Sequence, residues 1–237
     1  MTARTGVRRR LLLLPLVVLL FAGVANAASI GPVTSARLSG FAGTGPSGAK
    51  TVYASDNFTG ANNTLLNGRA LVMGQTWFVP GGGGDWRVNA TNEADVPNVN
   101  DGRIVTATGQ ANVRIIVTVT DGGAGGRTSG VVLHSNATAS RYLSVHWQNG
   151  SGGRIILTRH DGGATTLATG NVGAVSPVVW SVVLNGASIV VSYNGNVELT
   201  YTLTGTDLTT FGPLTSHGMF NDNAGLVRYD NFRVESL

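Results

Sequence analysis

The chain has 237 residues and no cysteine, so its core must be stable without disulfides, which a domain of about 190 residues can achieve. Four of its sixteen Lys and Arg residues lie within residues 1–27, which leaves twelve basic residues against twelve acidic ones in the rest. Because this remainder is formally neutral, its net charge gives no argument for a nucleic-acid partner.

Residues 1–27 have the three parts of a secretory signal. Four arginines within residues 4–10 form a basic region, residues 11–25 form an apolar run, and residues 25–27 (Ala-Asn-Ala) form a small-x-small cleavage site. The apolar run has 15 residues, whereas a helix that spans a bilayer needs about 20. We therefore expect cleavage after Ala27 and a secreted protein, with membrane contact only if the signal is not cleaved.

The next segment, residues 28–50, is rich in Ala, Gly, Ser, Thr and Pro. Such a composition buries too little apolar area to order itself, so it predicts a flexible linker or stalk. The alternative is an assembly segment, because small residues directly follow the export signal. The chain contains fifteen arginines and a single lysine, Lys50, a bias that suggests a GC-rich bacterial genome.

From residue 51 onward, short runs of β-branched and aromatic residues alternate with Gly, Asn and Asp, and no helical period lasts more than two turns. Asn185-Gly186 and Asn194-Gly195 are typical two-residue hairpin turns. Many short strands at close spacing favour an all-β sandwich or barrel in one domain. The predicted strands cover residues 51–58, 75–79, 85–89, 102–108, 112–120, 129–135, 141–148, 154–160, 178–184, 188–193, 197–203, 215–220 and 226–237.

The first and last predicted strands contain the same tripeptide, Asp-Asn-Phe, at residues 56–58 and 230–232. We expect these strands to be neighbours, with Phe58 and Phe232 pointing into the core. The domain would then close when its last strand pairs with its first.

Several motifs follow one another between residue 52 and the end of the chain. They are DNF at 56–58, Trp77, DWRV at 85–88, GVVL at 130–133, RYLSV at 141–145, WSVVL at 180–184, IVVSYNG at 189–195 and YDNF at 229–232. Together they resemble the concanavalin A-like (LamG-like) jelly-roll domains of secreted bacterial and phage proteins. The resemblance implies an antiparallel two-sheet jelly-roll sandwich with one concave sheet. It implies no single activity, because lectins, glycosidases, binding modules and structural domains share this fold.

Glycosidases of the laminarinase-like family on this fold carry Glu-x-Asp-x-x-Glu on one strand, which places two carboxylates on the same face. Residues 93–98 come nearest to this motif, but Asn98 replaces the second Glu and Pro97 is ill suited to a central strand. We interpret this segment as a polar loop. The chain also lacks a Gly-x-Ser-x-Gly elbow, and residues 81–84 lack the Gly-Lys-Ser/Thr of a phosphate loop. These observations make an enzyme the less favoured hypothesis.

Asp56 and Asp230 lie in the two repeated tripeptides, so pairing of the first and last strands would bring them near each other. Calcium prefers such carboxylates together with backbone carbonyls, and it is common in the superfamily that the sequence resembles. The two residues are therefore a candidate for a composite calcium site. The alternative is that each carboxylate caps a turn or accepts a hydrogen bond from a backbone N–H.

Three consecutive predicted strands, 129–135, 141–148 and 154–160, are expected to form hairpins. In each strand one set of alternate residues is apolar and predicts the core face, so the other set faces outward. Turns centred on residues 138 and 151 would align the outward residues, with opposite Cβ atoms about 5 Å apart. The predicted row comprises His134, Tyr142 and His160, with Ser144 and Thr158 beside it.

An aromatic ring flanked by hydrogen-bonding groups suits a sugar ring, so this row is the candidate ligand-binding site. Trp86, beside the glycine run, is the tryptophan that we expect to be exposed, and we include it in the site. Trp147 and Trp180 share parity with apolar neighbours and are expected in the core. The row could also hold zinc, although tyrosine is a poor ligand, and an ordinary solvated β face is the simplest alternative.

These features predict a secreted, non-catalytic carbohydrate- or cell-surface-binding module whose partner is a glycan or a cell-surface polymer. Two alternatives stay open. One is a glycosidase-related hydrolase with scattered catalytic residues, and the other is a structural protein of the cell envelope. The candidate calcium is the one cofactor that the sequence suggests.

Overall fold

A computed structural model describes residues 49–81, 84–97, 102–121, 128–148, 153–173, 175–221 and 227–237. The predicted signal at residues 1–27 and almost all of the predicted linker at residues 28–50 lie outside the described residues. Within the described residues the chain forms two antiparallel sheets and one short helix.

The strands begin and end as follows. They are β1 Val52–Asp56, β2 Arg87–Val88, β3 Ala94–Asp95, β4 Gly102–Ala107, β5 Val113–Asp121, β6 Thr128–Ser135, β7 Arg141–Gln148, β8 Arg154–Asp161, β9 Ala164–Asn171, β10 Val178–Asn185, β11 Ser188–Tyr193, β12 Asn196–Thr202, β13 Ser216–Asn221 and β14 Val227–Glu235. The helix α1 spans Gly205–Phe211. No helix in the described part of the chain is both long enough and apolar enough to cross a membrane.

The two sheets pack face to face as a sandwich. The larger sheet has the strand order β12-β11-β10-β5-β14-β3-β2, and β1 also pairs with β14. The smaller sheet has the order β4-β13-β6-β7-β8-β9. Alternate apolar residues of both sheets, such as Val117 and Val182 in the larger and Leu143 and Leu157 in the smaller, are buried in one core. The predicted all-β, antiparallel two-sheet jelly-roll sandwich is confirmed.

The predicted closure of the domain is also confirmed. Strand β1 pairs antiparallel with β14, with Ala54 opposite Val234 and Asp56 opposite Phe232. Phe58 and Phe232 are both buried, and the ring of Trp77 lies beside each of them, with centroid distances of 6.1 Å and 4.9 Å respectively. The repeated tripeptide therefore places two phenylalanines in one aromatic cluster at this end of the core.

The structure differs from the sequence-based assignment in four places. Strands β3 and β9 and the helix α1 were not predicted, and β3 lies in the segment 93–98 that we interpreted as a polar loop. Residues 75–79 were predicted as a strand but form only single bridges, one from Ala70 to Thr76 and one from Phe78 to Val105.

Candidate functional site

The outward face of the smaller sheet, which points away from the core between the sheets, carries most of the predicted polar row. Leu143 and Val145 of β7 lie in the core, so Tyr142 and Ser144 lie on the outward face. Strands β7 and β8 pair in the predicted register, with Tyr142 opposite His160 and Ser144 opposite Thr158. The sequence pattern was sufficient to place these four residues side by side.

Tyr142 and His160 form the centre of this arrangement. Their rings are stacked, with centroids 4.2 Å apart and planes inclined by only 8°. The hydroxyl of Ser144 lies 3.0 Å from Nε2 of His160 and 3.2 Å from Nδ1 of His146. A hydroxyl has one proton, so Ser144 donates to one of these ring nitrogens and accepts from the other. The serine thereby fixes the orientation of both imidazole rings.

Two further residues join the site from neighbouring strands. Phe220 of β13 lies with its ring centroid 5.2 Å from that of His146 and 5.9 Å from that of His160. Arg103 of β4 is the residue opposite Phe220, and its guanidinium lies 5.1 Å from the centroid of the Tyr142 ring. The sequence analysis missed both because nothing in the sequence placed β13 between β4 and β6. Residues 102–108 and 215–220 were predicted as strands, but the sequence did not predict that they are neighbours in the sheet.

A depression of about 420 Å³ opens where this row meets the turn between β8 and β9. Its rim carries the cation Arg103 and the carboxylate of Asp161, and the exposed Arg141 donates to that carboxylate at 3.0 Å. Tyr142 and Phe220 are each only 2% exposed, so the half-buried ring of His160 is the most accessible aromatic group of the depression. An accessible aromatic ring with charged and hydroxyl groups beside it can bind a small polar ligand that also has an apolar face. The lining residues are Arg103, Ser140, Tyr142, His160, Phe220 and residues 161–164.

The protonation of His146 follows from its surroundings. Burial, together with the nearby His160, lowers the pKa of His146 to about 4. His146 is therefore uncharged at neutral pH, and it supports the site as a hydrogen-bonding ring rather than as a cation.

His134 does not join the row, so this part of the prediction is wrong. Pairing between β6 and β7 ends at Leu133 and Leu143, and the next residue, His134, has a φ of 43°. This left-handed backbone interrupts the alternation that the prediction assumed. The His134 side chain is 1% exposed, with Nδ1 3.1 Å from the carbonyl oxygen of Leu214 and its ring 5.9 Å from that of His217.

Trp86 is also placed differently from the prediction, because it is buried rather than exposed. Only 1% of its surface is accessible, and its ring lies 5.4 Å from that of Tyr229 in the core. The short strand β2 lies at the edge of the larger sheet, so this side chain covers the end of the core. Trp147 and Trp180 are buried, as predicted.

The carboxylate of Asp56 is bonded to side chains and backbone of the protein itself. Its buried carboxylate accepts hydrogen bonds from Arg69 Nη1 at 3.2 Å, Trp77 Nε1 at 2.7 Å and the backbone N–H of Phe58 at 2.8 Å. The residue paired with Asp56 in β14 is Phe232, and Asp230 accepts from the backbone N–H of Asn231 at 2.7 Å. Both carboxylates thus make the hydrogen bonds that were the alternative to calcium. A calcium requirement stays a prediction without support from these contacts.

Asp95 and Glu93, the carboxylates of the near-match to the glycosidase motif, do not line the depression. Asp95 accepts from Arg87 at 3.0 Å and Glu93 lies 3.6 Å from Arg228, so both belong to ion pairs at the β2–β3 edge of the larger sheet. Within the described residues, no cluster of three or more His, Asp or Glu side chains is arranged to hold a metal ion.

Comparison with known proteins shows the fold and no closer relationship. No family model and no curated protein matches the chain. Among solved structures, the GH43 BlXynB protein from Bacillus licheniformis is similar, at 17% identity and a TM-score of 0.55 over 78% of this chain and 39% of that one. Domain 4 of AbnA, a GH43 extracellular arabinanase from Geobacillus stearothermophilus in complex with arabinotriose, has 11% identity and a TM-score of 0.52 over 79% of this chain and 93% of that one.

A third similar structure is of a protein from members of the human gut microbiota that express endo-acting O-glycanases to initiate mucin breakdown. It has 14% identity and a TM-score of 0.53, and the match covers 79% of this chain and all of that one. The chain shares the fold of these β-sandwiches. At identities of 11–17%, the similarity shows the fold alone.

Proposed function

We propose that this protein is a non-catalytic carbohydrate-binding module whose ligand occupies the depression at the β8–β9 turn. The observation that carries the proposal is the half-buried His160 ring, which is stacked on the buried Tyr142 ring that the guanidinium of Arg103 also contacts. A sugar ring has an apolar C–H face and a rim of hydroxyls. The depression offers an accessible His160 ring, which the buried Tyr142 supports by stacking, with charged and hydroxyl groups beside it.

Binding without cleavage is supported by the carboxylates of the depression. Glycoside hydrolysis generally needs two carboxyl groups on either side of the scissile bond, about 5–9.5 Å apart. Among the described residues that line the depression, Asp161 is the only carboxylate, and it is paired with Arg141. We expect no release of reducing sugar when the protein is incubated with the polysaccharides that it binds.

The similar structures suggest where to look for the ligand. One of them is in complex with arabinotriose, and another comes from bacteria that begin the breakdown of mucin. Arabino-oligosaccharides and mucin O-glycans are therefore the first sugars to test on a glycan array.

The binding test uses a change that fills the depression without disturbing the fold. A Cβ atom on Gly163 would meet no atom within 4 Å, and its backbone is not left-handed, so Gly163→Tyr places a ring at the mouth of the depression. Gly173 has the same open surroundings but does not line the depression, so Gly173→Tyr is the matched control.

We expect the wild type and Gly173→Tyr to bind the same glycans on the array, and Gly163→Tyr to lose at least about tenfold in affinity, or about 1.4 kcal/mol. All three should melt at the same temperature. Absence of binding to every glycan, or undiminished binding by Gly163→Tyr, would contradict the proposal.

Secretion is part of the same proposal, because a glycan-binding module meets its ligand outside the cell. The support is the basic, apolar and small-residue order of residues 1–27. Intact-mass measurement of the exported protein should give a chain that begins at Ala28, and a mature product that retains the arginines of residues 4–10 would contradict it.

A further inference from the structure

We propose that Ser144 is a positioning residue of the binding site, because its hydroxyl determines which nitrogens of two neighbouring histidines carry a proton. Of the two ring nitrogens that it contacts, Nδ1 of His146 and Nε2 of His160, one is protonated and the other is not. This inference rests on the proposed function, in which the His160 ring contacts the ligand. It adds what holds that ring in one orientation and what sets its tautomer.

The hydroxyl of Ser144 lies between the two rings and is closed off from solvent. Ser144 is 0% exposed, and its Oγ lies 3.2 Å from Nδ1 of His146 and 3.0 Å from Nε2 of His160. Each of these hydrogen bonds needs one proton between its two atoms, and Ser144 has one proton to give.

The other two ways of placing the protons each leave a buried group without a partner. If both ring nitrogens carried protons, the serine's own proton would need a third acceptor, and in the described part of the chain its hydroxyl bonds to these two nitrogens alone. If neither carried a proton, one nitrogen would face the serine oxygen with no proton between them. A buried polar group without a partner is costly, so Ser144 donates to one nitrogen and accepts from the other.

This arrangement links the two histidines. If Ser144 donates to His160, Nε2 of His160 is unprotonated and Nδ1 of His146 carries a proton. If Ser144 donates to His146, the proton is on Nε2 of His160 instead. Burial and the nearby His160 lower the pKa of His146 to about 4, so His146 is neutral at pH 7 and has one N–H in either case. The tautomer of the buried His146 and the protonation of His160 Nε2 are therefore set together.

The bond with Ser144 also selects one of two orientations of the His160 ring. The ring stacks on Tyr142, with centroids 4.2 Å apart and planes inclined by 8°. This stack fixes the plane of the ring, but a half turn about the Cβ–Cγ bond keeps the same plane, and this torsion has two broad minima in histidine. A half turn would put a carbon in the place of Nε2 and break the bond with Ser144. The bond therefore decides which ring atoms are presented to the ligand.

Removal of the hydroxyl should weaken glycan binding without removing a contact with the ligand. Ser144 is not among the described residues that line the depression. In Ser144→Ala the His160 ring has two orientations and two tautomers, so about one molecule in four presents the arrangement that a given ligand selects. The apparent dissociation constant rises in inverse proportion to that fraction, which is about fourfold.

The first measurement needs no glycan. Nitrogen-15 NMR of protein labelled in its histidine rings distinguishes protonated from unprotonated nitrogens, and His146→Gln and His160→Gln assign the signals. At pH 8, above the ordinary histidine pKa, we expect one protonated nitrogen of the pair in the wild type. In Ser144→Ala the two nitrogen shifts of His160 should move towards each other, as its tautomers mix. Thr158→Val removes the hydroxyl opposite Ser144 and is the control, which should keep the wild-type signals.

The second measurement is glycan affinity by calorimetry, with arabinotriose or, if the array selects another sugar, with that sugar. Ser144→Ala should bind about fourfold more weakly than the wild type, and Gly173→Tyr should bind as the wild type does.

Two results would overturn the inference. One is a wild type in which both nitrogens of the pair are protonated or both are unprotonated, and this result can be obtained even if Ser144→Ala does not fold. The other is a folded Ser144→Ala with undiminished affinity. Absence of glycan binding by the wild type would remove the proposed function and leave the nitrogen signals unchanged, so the two failures are distinguishable.

Discussion

His217 is a single residue whose surroundings determine its charge. It has no exposed surface in β13, and its Nε2 lies 2.9 Å from the carbonyl oxygen of Gln110, so this nitrogen must carry the proton. Its Nδ1 accepts a hydrogen bond from the backbone N–H of His134 at 3.4 Å. One neutral tautomer satisfies both contacts, and burial lowers the pKa of His217 to about 3.

Stability should therefore fall as the pH falls below about 6.5. The pKa of an unfolded histidine is near 6.5, so the unfolded chain is protonated at this residue below that pH. Folded His217 becomes protonated only near pH 3, so protonation favours the unfolded state between these two values. In that pH window each such histidine lowers the free energy of unfolding by about 1.4 kcal/mol per pH unit. His146 and His134, whose pKa values are also lowered, act in the same direction.

Urea unfolding at pH 7, 6 and 5 measures the slope of the free energy of unfolding against pH. The variant His217→Gln should reduce it by about one proton, and an unchanged slope would contradict the assignment.

Asp56 gives a second prediction for a single residue. The change Asp56→Ala leaves Arg69 and the indole N–H of Trp77 without their acceptor next to the core, so we expect a loss of about 3–5 kcal/mol in the free energy of unfolding. Asp230→Ala is the control, because the bonds of that carboxylate within the described part of the chain go to the adjacent Asn231, and it should cost under about 1 kcal/mol. Repeating the melts with calcium tests the predicted calcium site, which requires a calcium-dependent rise that both variants lose.

Among the elements, the sequence predicted those with clear alternation. The bounds of β7 and β11 agree with the predicted ranges, because β7 alternates apolar and polar residues from Leu143 to Gln148 and β11 lies between two Asn-Gly turns. Strand β9 was missed because it lies at the edge of the smaller sheet and is mostly exposed, so its threonine-rich sequence has no apolar set. Helix α1 has only seven residues, with buried Phe211 as its anchor, and is too short for a helical period to be visible.

The same reasoning explains which site residues were predictable. Tyr142, Ser144, Thr158 and His160 lie inside two regular strands joined by one hairpin, so alternation and turn position fixed their register. The backbone of His134 is left-handed, and the alternation of apolar and polar residues along a strand does not predict such a change in side-chain direction. Trp86 lies next to β2, which has only two residues, and a strand this short shows no alternation from which the burial of Trp86 could be predicted.

Gly218 shows how closely two strands of the site approach each other. A Cβ at this position would collide with the carbonyl oxygen of Ile104 and lie 2.8 Å from the Cα of Val105, both in the backbone of β4. Gly218→Ala should therefore push β13 away from β4 and cost about 2 kcal/mol or more in stability. It should also weaken glycan binding, because Arg103 and Phe220 are opposite each other in these strands. Gly173→Ala, with open space around its Cβ, is the control and should leave both the melting temperature and binding unchanged.

At the scale of the whole molecule, β14 holds the larger sheet together. It pairs with β5 along one edge and with β1 and β3 along the other, and it contributes Tyr229, Phe232 and Val234 to the core. The repeated tripeptide made the pairing with β1 predictable. The position of β14 beside β5 was not predictable, because strand order within a sheet depends on contacts between distant segments that no local pattern encodes.

Deletion of residues 230–237 should abolish cooperative folding. It removes most of β14, opens the edges of β1 and β5, and takes two large apolar side chains out of the core. Deletion of Leu237 alone, whose side chain is partly exposed beyond the end of β14, is the control and should leave the melt unchanged. A cooperative thermal transition retained by the longer deletion would show that β14 is dispensable.

The position of β14 also has a consequence for the kinetics of folding. The contact between Thr51 and Ser236 joins residues 185 apart in sequence, and the pairing of β1 with β14 spans almost the same distance. Proteins with many such distant contacts fold slowly, because a long loop must close before the contacts form. Until residues 227–235 leave the ribosome, β5 has an unpaired edge that another nascent chain could occupy. The yield of soluble protein should therefore depend more on temperature and expression rate than on the stability of the finished domain.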